Sequence, residues 1–135
     1  MIRVIVLLLA LFLGSCVHDS ASRPVVKLAN PASLHCGEVG GELRIEKMGN
    51  ESEIGVCFFE DGGQCEEWAL FRGECPVGGR SIKGFVTPGA RYCAIRGGRI
   101  AMAQSTEGNE TKQGLCTLPR GTVCDVVVLW QGNCG

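Results

Sequence analysis

Cysteines fall at 36, 57, 65 and 75, and again at 93, 116, 124 and 134. The separations run 21, 8, 10 and then 23, 8, 10. Other marks keep the same step. Asn30-Pro31 answers Thr87-Pro88, Gly40-Gly41 answers Gly97-Gly98, and NESEIGVC (50–57) answers NETKQGLC (109–116). So many coincident marks describe a tandem duplication. Residues 30–76 form the first unit, 77–86 a linker and 87–135 the second unit. A unit of this size buries too little surface to be secure alone. Either the two pack together, or each relies on its own covalent bridges.

The N-terminus sets the compartment. Arg3 gives a positive start, Val4 to Leu13 is an unbroken apolar run, and small Gly14 and Ser15 precede Cys16. That order describes a secretory signal over residues 1–15. The run is shorter than the about 20 apolar residues that a membrane-spanning helix needs. Leu13-Gly14-Ser15-Cys16 also resembles the bacterial lipobox, whose cysteine is lipidated after the cut. An ordinary signal peptide cut near Ser15 is the competing reading. Nine cysteines leave one over after pairing, and lipidation of Cys16 accounts for it. Val17 stands where an Asp would resemble an inner-membrane retention signal, so an outer-membrane anchor is expected. Residues 16–29 read as a tether, with His18 solvated. Val25 to Leu28 is also compatible with a strand.

In such a compartment the other eight cysteines read as four disulfides. Structural zinc sites want cysteine pairs two to four residues apart, and this chain has none. His35 beside Cys36 tempts a metal reading, but its counterpart is Tyr92. No metal and no cofactor is therefore expected. Three pairings are open within a unit. The favoured one is Cys36–Cys57 with Cys65–Cys75, then Cys93–Cys116 with Cys124–Cys134. The first bridge of each unit would staple a helix to a strand. The second needs the chain to fold back, because a straight ten-residue helix spans about 15 Å and bridged Cα atoms lie within about 7 Å. Gly73 can supply that reversal. Each bridge should contribute about 3 kcal/mol.

Local chemistry predicts the elements. Asn30 suits an N-cap and Pro31 the first helical turn, so Ala32 to Val39 reads as a short helix ended by Gly40-Gly41. Thr87-Pro88 to Gly97-Gly98 repeats those signals. Glu42 to Glu46 alternates polar and apolar, as a half-buried strand does, and Arg99 to Gln104 is its counterpart. Polar turns at Asn50 and Asn109 lead to second strands, Ile54 to Phe59 and Gln113 to Leu118. Asp61-Gly62 and Arg120-Gly121 are turn signals. The last segments conflict. Glu66 to Arg72 favours helix, whereas Asp125 to Gln131 favours strand by propensity. Copies of one unit share a fold, so a short helix is expected in both. It would bury Trp68, Leu70 and Phe71, or Val128, Leu129 and Trp130. The fold class is a small disulfide-rich α+β chain of two helix–strand–strand–short-helix units.

NPASLHCGEVGGELRI and GVCFFEDGGQCEEWALFRGECP resemble a small bacterial lipoprotein and periplasmic domain of unknown function that carries a haemolysin label. The resemblance covers residues 30–76. Residues 87–135 share the cysteine frame and glycines, without the Asp-Gly turn and the Glu-Glu-Trp core. It implies that Cys36 and Cys57 pair, since some members of that family keep only the first two cysteines. It implies no catalytic residue.

Function is less legible. Without Arg3 the chain holds 12 Lys+Arg against 14 Asp+Glu. There is no basic patch, so nucleic acid is not an expected partner. Glu60-Asp61 and Glu66-Glu67 are the dense carboxylates, but adjacent residues at a helix start point apart, unlike a general acid–base pair. No Gly-x-Ser-x-Gly elbow accompanies Ser33 and His35. The sequons at Asn50 and Asn109 read as turns. No enzyme activity is expected. Two classes remain: an envelope binding module, including inhibition of a hydrolase, and a membrane-active protein in line with the haemolysin label. Binding residues are expected at Asp61, Glu66 and Glu67, with Trp68 in the core or rimming the site. The partners would be the membrane, through the N-terminal lipid, and an envelope protein or cell-wall ligand.

Lipidation at Cys16 has a direct test. Cys16→Ser should leave the chain unlipidated and move it from the membrane fraction to the soluble one. Wild-type recovery of Cys16→Ser in the membrane would contradict it.

Overall fold

The computed structural model describes residues 29–101 and 114–134. The signal segment, Cys16, nearly all of the tether and the Asn109 turn lie outside the described residues. The first unit runs α1 (Pro31–Glu38), β1 (Glu42–Lys47), β2 (Glu53–Phe58), β3 (Gln64–Glu66) and α2 (Glu67–Phe71). The second runs α3 (Pro88–Ile95), β4 (Arg99–Ala101), β5 (Leu115–Thr117), β6 (Val123–Asp125) and α4 (Val126–Trp130). Each unit has one antiparallel sheet, ordered β1-β2-β3 or β4-β5-β6. The α+β class is therefore correct, and each unit holds one strand more than the sequence predicts.

The ends of the elements follow from side-chain caps. Asn30 Oδ1 accepts from the Ala32 N–H at 3.0 Å, and Thr87 Oγ1 from the Ala90 N–H at 3.2 Å. Glu66 accepts from the N–H groups of Trp68 and Ala69 at 3.0 and 2.8 Å. Asp125 does the same for Val127 and Val128. A shared acidic cap thus starts α2 and α4 in both copies. It helps override the strand propensity of the valines in α4, whose Val126 and Leu129 are buried. Gly73 and Gly132 both sit at φ 72°, the left-handed conformation that turns the chain back toward its bridge.

All four bridges join the expected partners, with Cα atoms 5.7 to 6.2 Å apart. Cys36, Cys57, Cys65, Cys75, Ala69 and Leu70 form one buried cluster between α1, α2 and the first sheet. Gly41 and Gly98 lie against the Cys36–Cys57 and Cys93–Cys116 bridges. A Cβ at either would strike the sulfur of Cys57 or Cys116.

The two units also pack together. Leu43, Cys57 and Cys65 turn one face of the first sheet to α1 and α2. The other face carries Ile54, Val56 and Phe58, as strand alternation requires. That face is covered by the second unit. One buried cluster runs from Met48 and Val56 through Tyr92, Ile95 and Leu129 to Cys116 and Cys124. The order of layers is helices, sheet, helices, sheet. Arg91 of α3 clamps the seam, donating to both Glu46 oxygens at 2.6 and 3.0 Å and to Gln64 Oε1 at 2.6 and 2.9 Å. The Gly49 N–H donates to the Trp130 carbonyl at 3.2 Å.

The stretch read as a linker is part of the seam. Arg80 exchanges two 3.0 Å backbone hydrogen bonds with Gln64 on β3. Its guanidinium donates to the carbonyls of Gly98 at 2.6 Å and Ala94 at 3.3 Å. Ile82 packs against the shared cluster.

Proteolysis without reduction, followed by mass spectrometry, should recover the four bridges only within units. A sulfur-linked peptide joining residues 30–76 to 87–135 would contradict this arrangement.

Candidate functional site

The carboxylates expected to bind do not form a surface. Glu66 and Glu67 are both buried, at 6 % exposure. Glu66 is consumed as the N-cap of α2. Glu67 accepts from Asn30 Nδ2 at 3.0 Å and from Ser33 Oγ at 2.6 Å. Asn30 thereby joins the cap of α1 to α2. A Cβ at Gly55 would collide with the Glu67 carboxyl, so that glycine leaves the acid its space. The sequence shows two adjacent acids at a helix start; only the fold shows that α1 lies over the second. Asp61 stays in an exposed turn beside Gly62, at φ 82°. The acidic binding surface is thus corrected: only Asp61 remains exposed.

Trp68 takes the second of its two expected places, outside the core. The helix buries Ala69 and Leu70, whereas Trp68 and Phe71 stay 39 % and 46 % exposed. With α2 only five residues long, Ala69 and Leu70 sit over the Cys36–Cys57 and Cys65–Cys75 bridges and exclude larger rings. The same holds in α4, where Leu129 is buried but Val128 is exposed.

Among the described residues, an aromatic face across α1 and α2 stands uncovered. Phe71 is its centre. Its ring meets His35 edge-on at 5.7 Å and Trp68 edge-on at 5.8 Å. Leu34, one residue from His35 on α1, is 55 % exposed. Glu38 lies on the same helix, 3.8 Å from His35 Nδ1. Sequence reasoning placed Phe71 in the core, weighed His35 only as a metal ligand or catalytic group, and passed over Leu34. A signal was present: both copies hold a ring-bearing residue at 35/92 and at 71/130. The second pair, Tyr92 and Trp130, meets edge-on at 5.8 Å too, but at the seam with the first unit.

A cavity of about 190 Å³ lies elsewhere, lined by Arg72, Glu74, Arg96, Pro119 and Arg120. Three arginines face one glutamate there, and the buried Arg96 Nε has no hydrogen-bond partner among the described residues. Glu74 accepts from Arg72 at 2.8 Å and from Arg120 at 3.0 Å. The hydrogen bond from Arg72 holds the Glu74 carboxyl below its usual range, and the one from Arg120 adds to it. Arg96 donates to the Tyr92 hydroxyl at 3.2 Å. No group of three or more His, Cys, Asp or Glu side chains among the described residues is placed to hold a metal ion.

Comparison with known proteins agrees with the duplication. A family model described as "Domain of unknown function (DUF333)" matches residues 27–74 and again 84–133. The "Uncharacterized protein YoaF" of Escherichia coli strain K12 is 33 % identical over 60 residues, covering 44 % of this chain and 70 % of that protein. A Shigella flexneri protein of the same description gives the same figures. No solved structure matches the chain.

Glu67→Ala should lower stability in urea unfolding by about 1–3 kcal/mol, because it strands the Asn30 amide and the Ser33 hydroxyl. Asp61→Ala should change it by less than about 0.5 kcal/mol. Equal effects would contradict the structural role assigned to Glu67.

Proposed function

The chain belongs to the DUF333 family and carries two copies of its domain, and we propose that it is a lipid-anchored envelope module that binds by contact rather than by catalysis. The observation behind this is the aromatic face of α1 and α2. Large apolar side chains cost free energy in water and are usually covered. Here Leu34, Trp68 and Phe71 lie outside while smaller residues fill the core. Aromatic residues of this kind anchor protein–protein contacts. The α1 and α2 backbones beneath them are held by the Cys36–Cys57 and Cys65–Cys75 bridges and by the Asn30–Glu67 hydrogen bond. A face held in place before binding loses little entropy on association.

The lipid on Cys16 belongs to this reading, with residues 16–29 as the tether. A partner on an envelope protein suits the face better than a cell-wall glycan alone, because Leu34 and Phe71 offer no hydrogen bonds from their side chains. The membrane-active alternative finds less support. No helix among the described residues is long and apolar enough to cross a membrane.

Capture from envelope extract compares wild type, Trp68→Ala/Phe71→Ala and Asp61→Ala, each with native circular dichroism. The aromatic variant should lose at least about tenfold of the captured protein, equivalent to about 1.4 kcal/mol, and Asp61→Ala should retain it. Full capture by the aromatic variant would contradict the assigned face. Erythrocyte lysis by the wild type, undiminished in the aromatic variant, would favour membrane activity instead.

A further inference from the structure

The layer order has two unlike ends. At the seam, the outer side of a helix pair, α3 and α4, lies on the outer face of a sheet, β1-β2-β3. Among the described residues, no sheet lies on the equivalent helix pair of the first unit, α1 and α2, and no helix pair lies on the outer face of the equivalent sheet of the second unit, β4-β5-β6. Ile100, Cys116 and Cys124 are in register and point inward to the core. Alternation therefore turns Arg99, Ala101, Leu115, Thr117 and Val123 outward, and all five are exposed. Leu115 is 41 % and Val123 56 % exposed. Leu115 occupies the position of Val56, which is wholly buried at the seam.

The two free ends also differ from the seam in a matched way. At the seam Arg91 on the helix side meets Gln64 and Glu46 on the sheet side. The helix-side counterpart of Arg91 is Leu34, and the sheet-side counterpart of Gln64 is Val123. A polar pair has become an apolar pair, with both members exposed and on different ends of the molecule. The counterpart of Glu46 falls outside the described residues. A second match lies nearby. Ile95 packs in the seam cluster with Phe58. Their counterparts are Glu38 on the helix face and Thr117 on the sheet, and Arg99 stands in register with Thr117. An acid on one end thus has a base at the matching place on the other.

We infer that the chain associates head to tail with a second copy of itself, the α1/α2 face of one docking on the β4-β5-β6 outer face of the next. This rests on the reading of the α1/α2 face as a binding surface, and it names the partner. The contact repeats the internal seam, with Leu34 facing Val123 where Arg91 faces Gln64. Such an interface is heterologous, so it propagates until a ring closes or a filament grows. Each added copy would bring its own lipid anchor, and multivalency would strengthen hold on the membrane.

The test uses residues 16–135 with Cys16→Ser, so that lipid adds nothing to the mass. Sedimentation velocity follows it from about 1 µM to about 1 mM, a range that spans weak association. The wild-type faces should give dimers and larger species as concentration rises. Leu34→Asp and Val123→Asp each place a charge in the contact and should weaken association by at least about tenfold. Both sites are exposed, so native circular dichroism is expected and is checked. Each variant keeps one good face. Mixed, the two should form a one-to-one dimer and nothing larger. Loss in Leu34→Asp alone, with Val123→Asp like wild type, would overturn the head-to-tail geometry. A monomer at every concentration would overturn self-association. If Trp68→Ala/Phe71→Ala still loses an envelope protein in the capture experiment, the binding face stands and only its partner was misassigned.

Discussion

Everything else in this chain leans on the burial of the Val56 face of the first sheet beneath α3 and α4. A three-stranded sheet with one helix pair leaves its second face wet. Here that face carries Ile54, Val56 and Phe58, and the second unit closes it with Tyr92, Ile95 and Leu129. The apolar cluster that results belongs to neither unit. Arg91 fixes the register by a forked contact to Glu46 and a second to Gln64. A planar guanidinium holds such a geometry better than a lysine would. Arg80 carries the connecting segment along the same seam.

The bridges act on a different scale. Each closes a layer within a unit, helix to strand or strand to helix end, and constrains the unfolded chain. They leave the outer faces free to diverge. The paired stretches CEEWALFRGEC and CDVVVLWQGNC show the result. What both keep is the cysteines, an acidic cap at Glu66 and Asp125, a buried leucine at Leu70 and Leu129, and the turning glycine. The remaining positions follow their surroundings. Glu67 is held by Asn30 and Ser33, whereas Val126, its counterpart, sits in an apolar core.

Much of the fold was legible because its determinants are local. Asn30-Pro31 and Thr87-Pro88 cap helices through neighbours two or three residues away, and the cysteine spacing reported a copied framework. The final helix of the second unit was legible only by analogy with the first, since its valines point to strand. The strands β3 and β6 were missed because three residues are too few for an alternation to register. The site was less legible. Whether Glu67 faces water depends on α1 crossing above it. Whether Trp68 or Leu70 goes inside depends on the space left by two disulfides. Neither is a property of the segment that carries the residue. The exposed pair Leu34 and Phe71 likewise gains meaning only beside Arg91 and Trp130, whose equivalent face is covered.

The central claim is that two copies share one core, so neither should unfold alone. Scanning calorimetry of the oxidised chain tests it most directly. A shared core predicts a single transition whose calorimetric and van't Hoff enthalpies agree. Two resolved transitions, or a calorimetric enthalpy near twice the van't Hoff value, would mean that the units melt independently and would contradict the account.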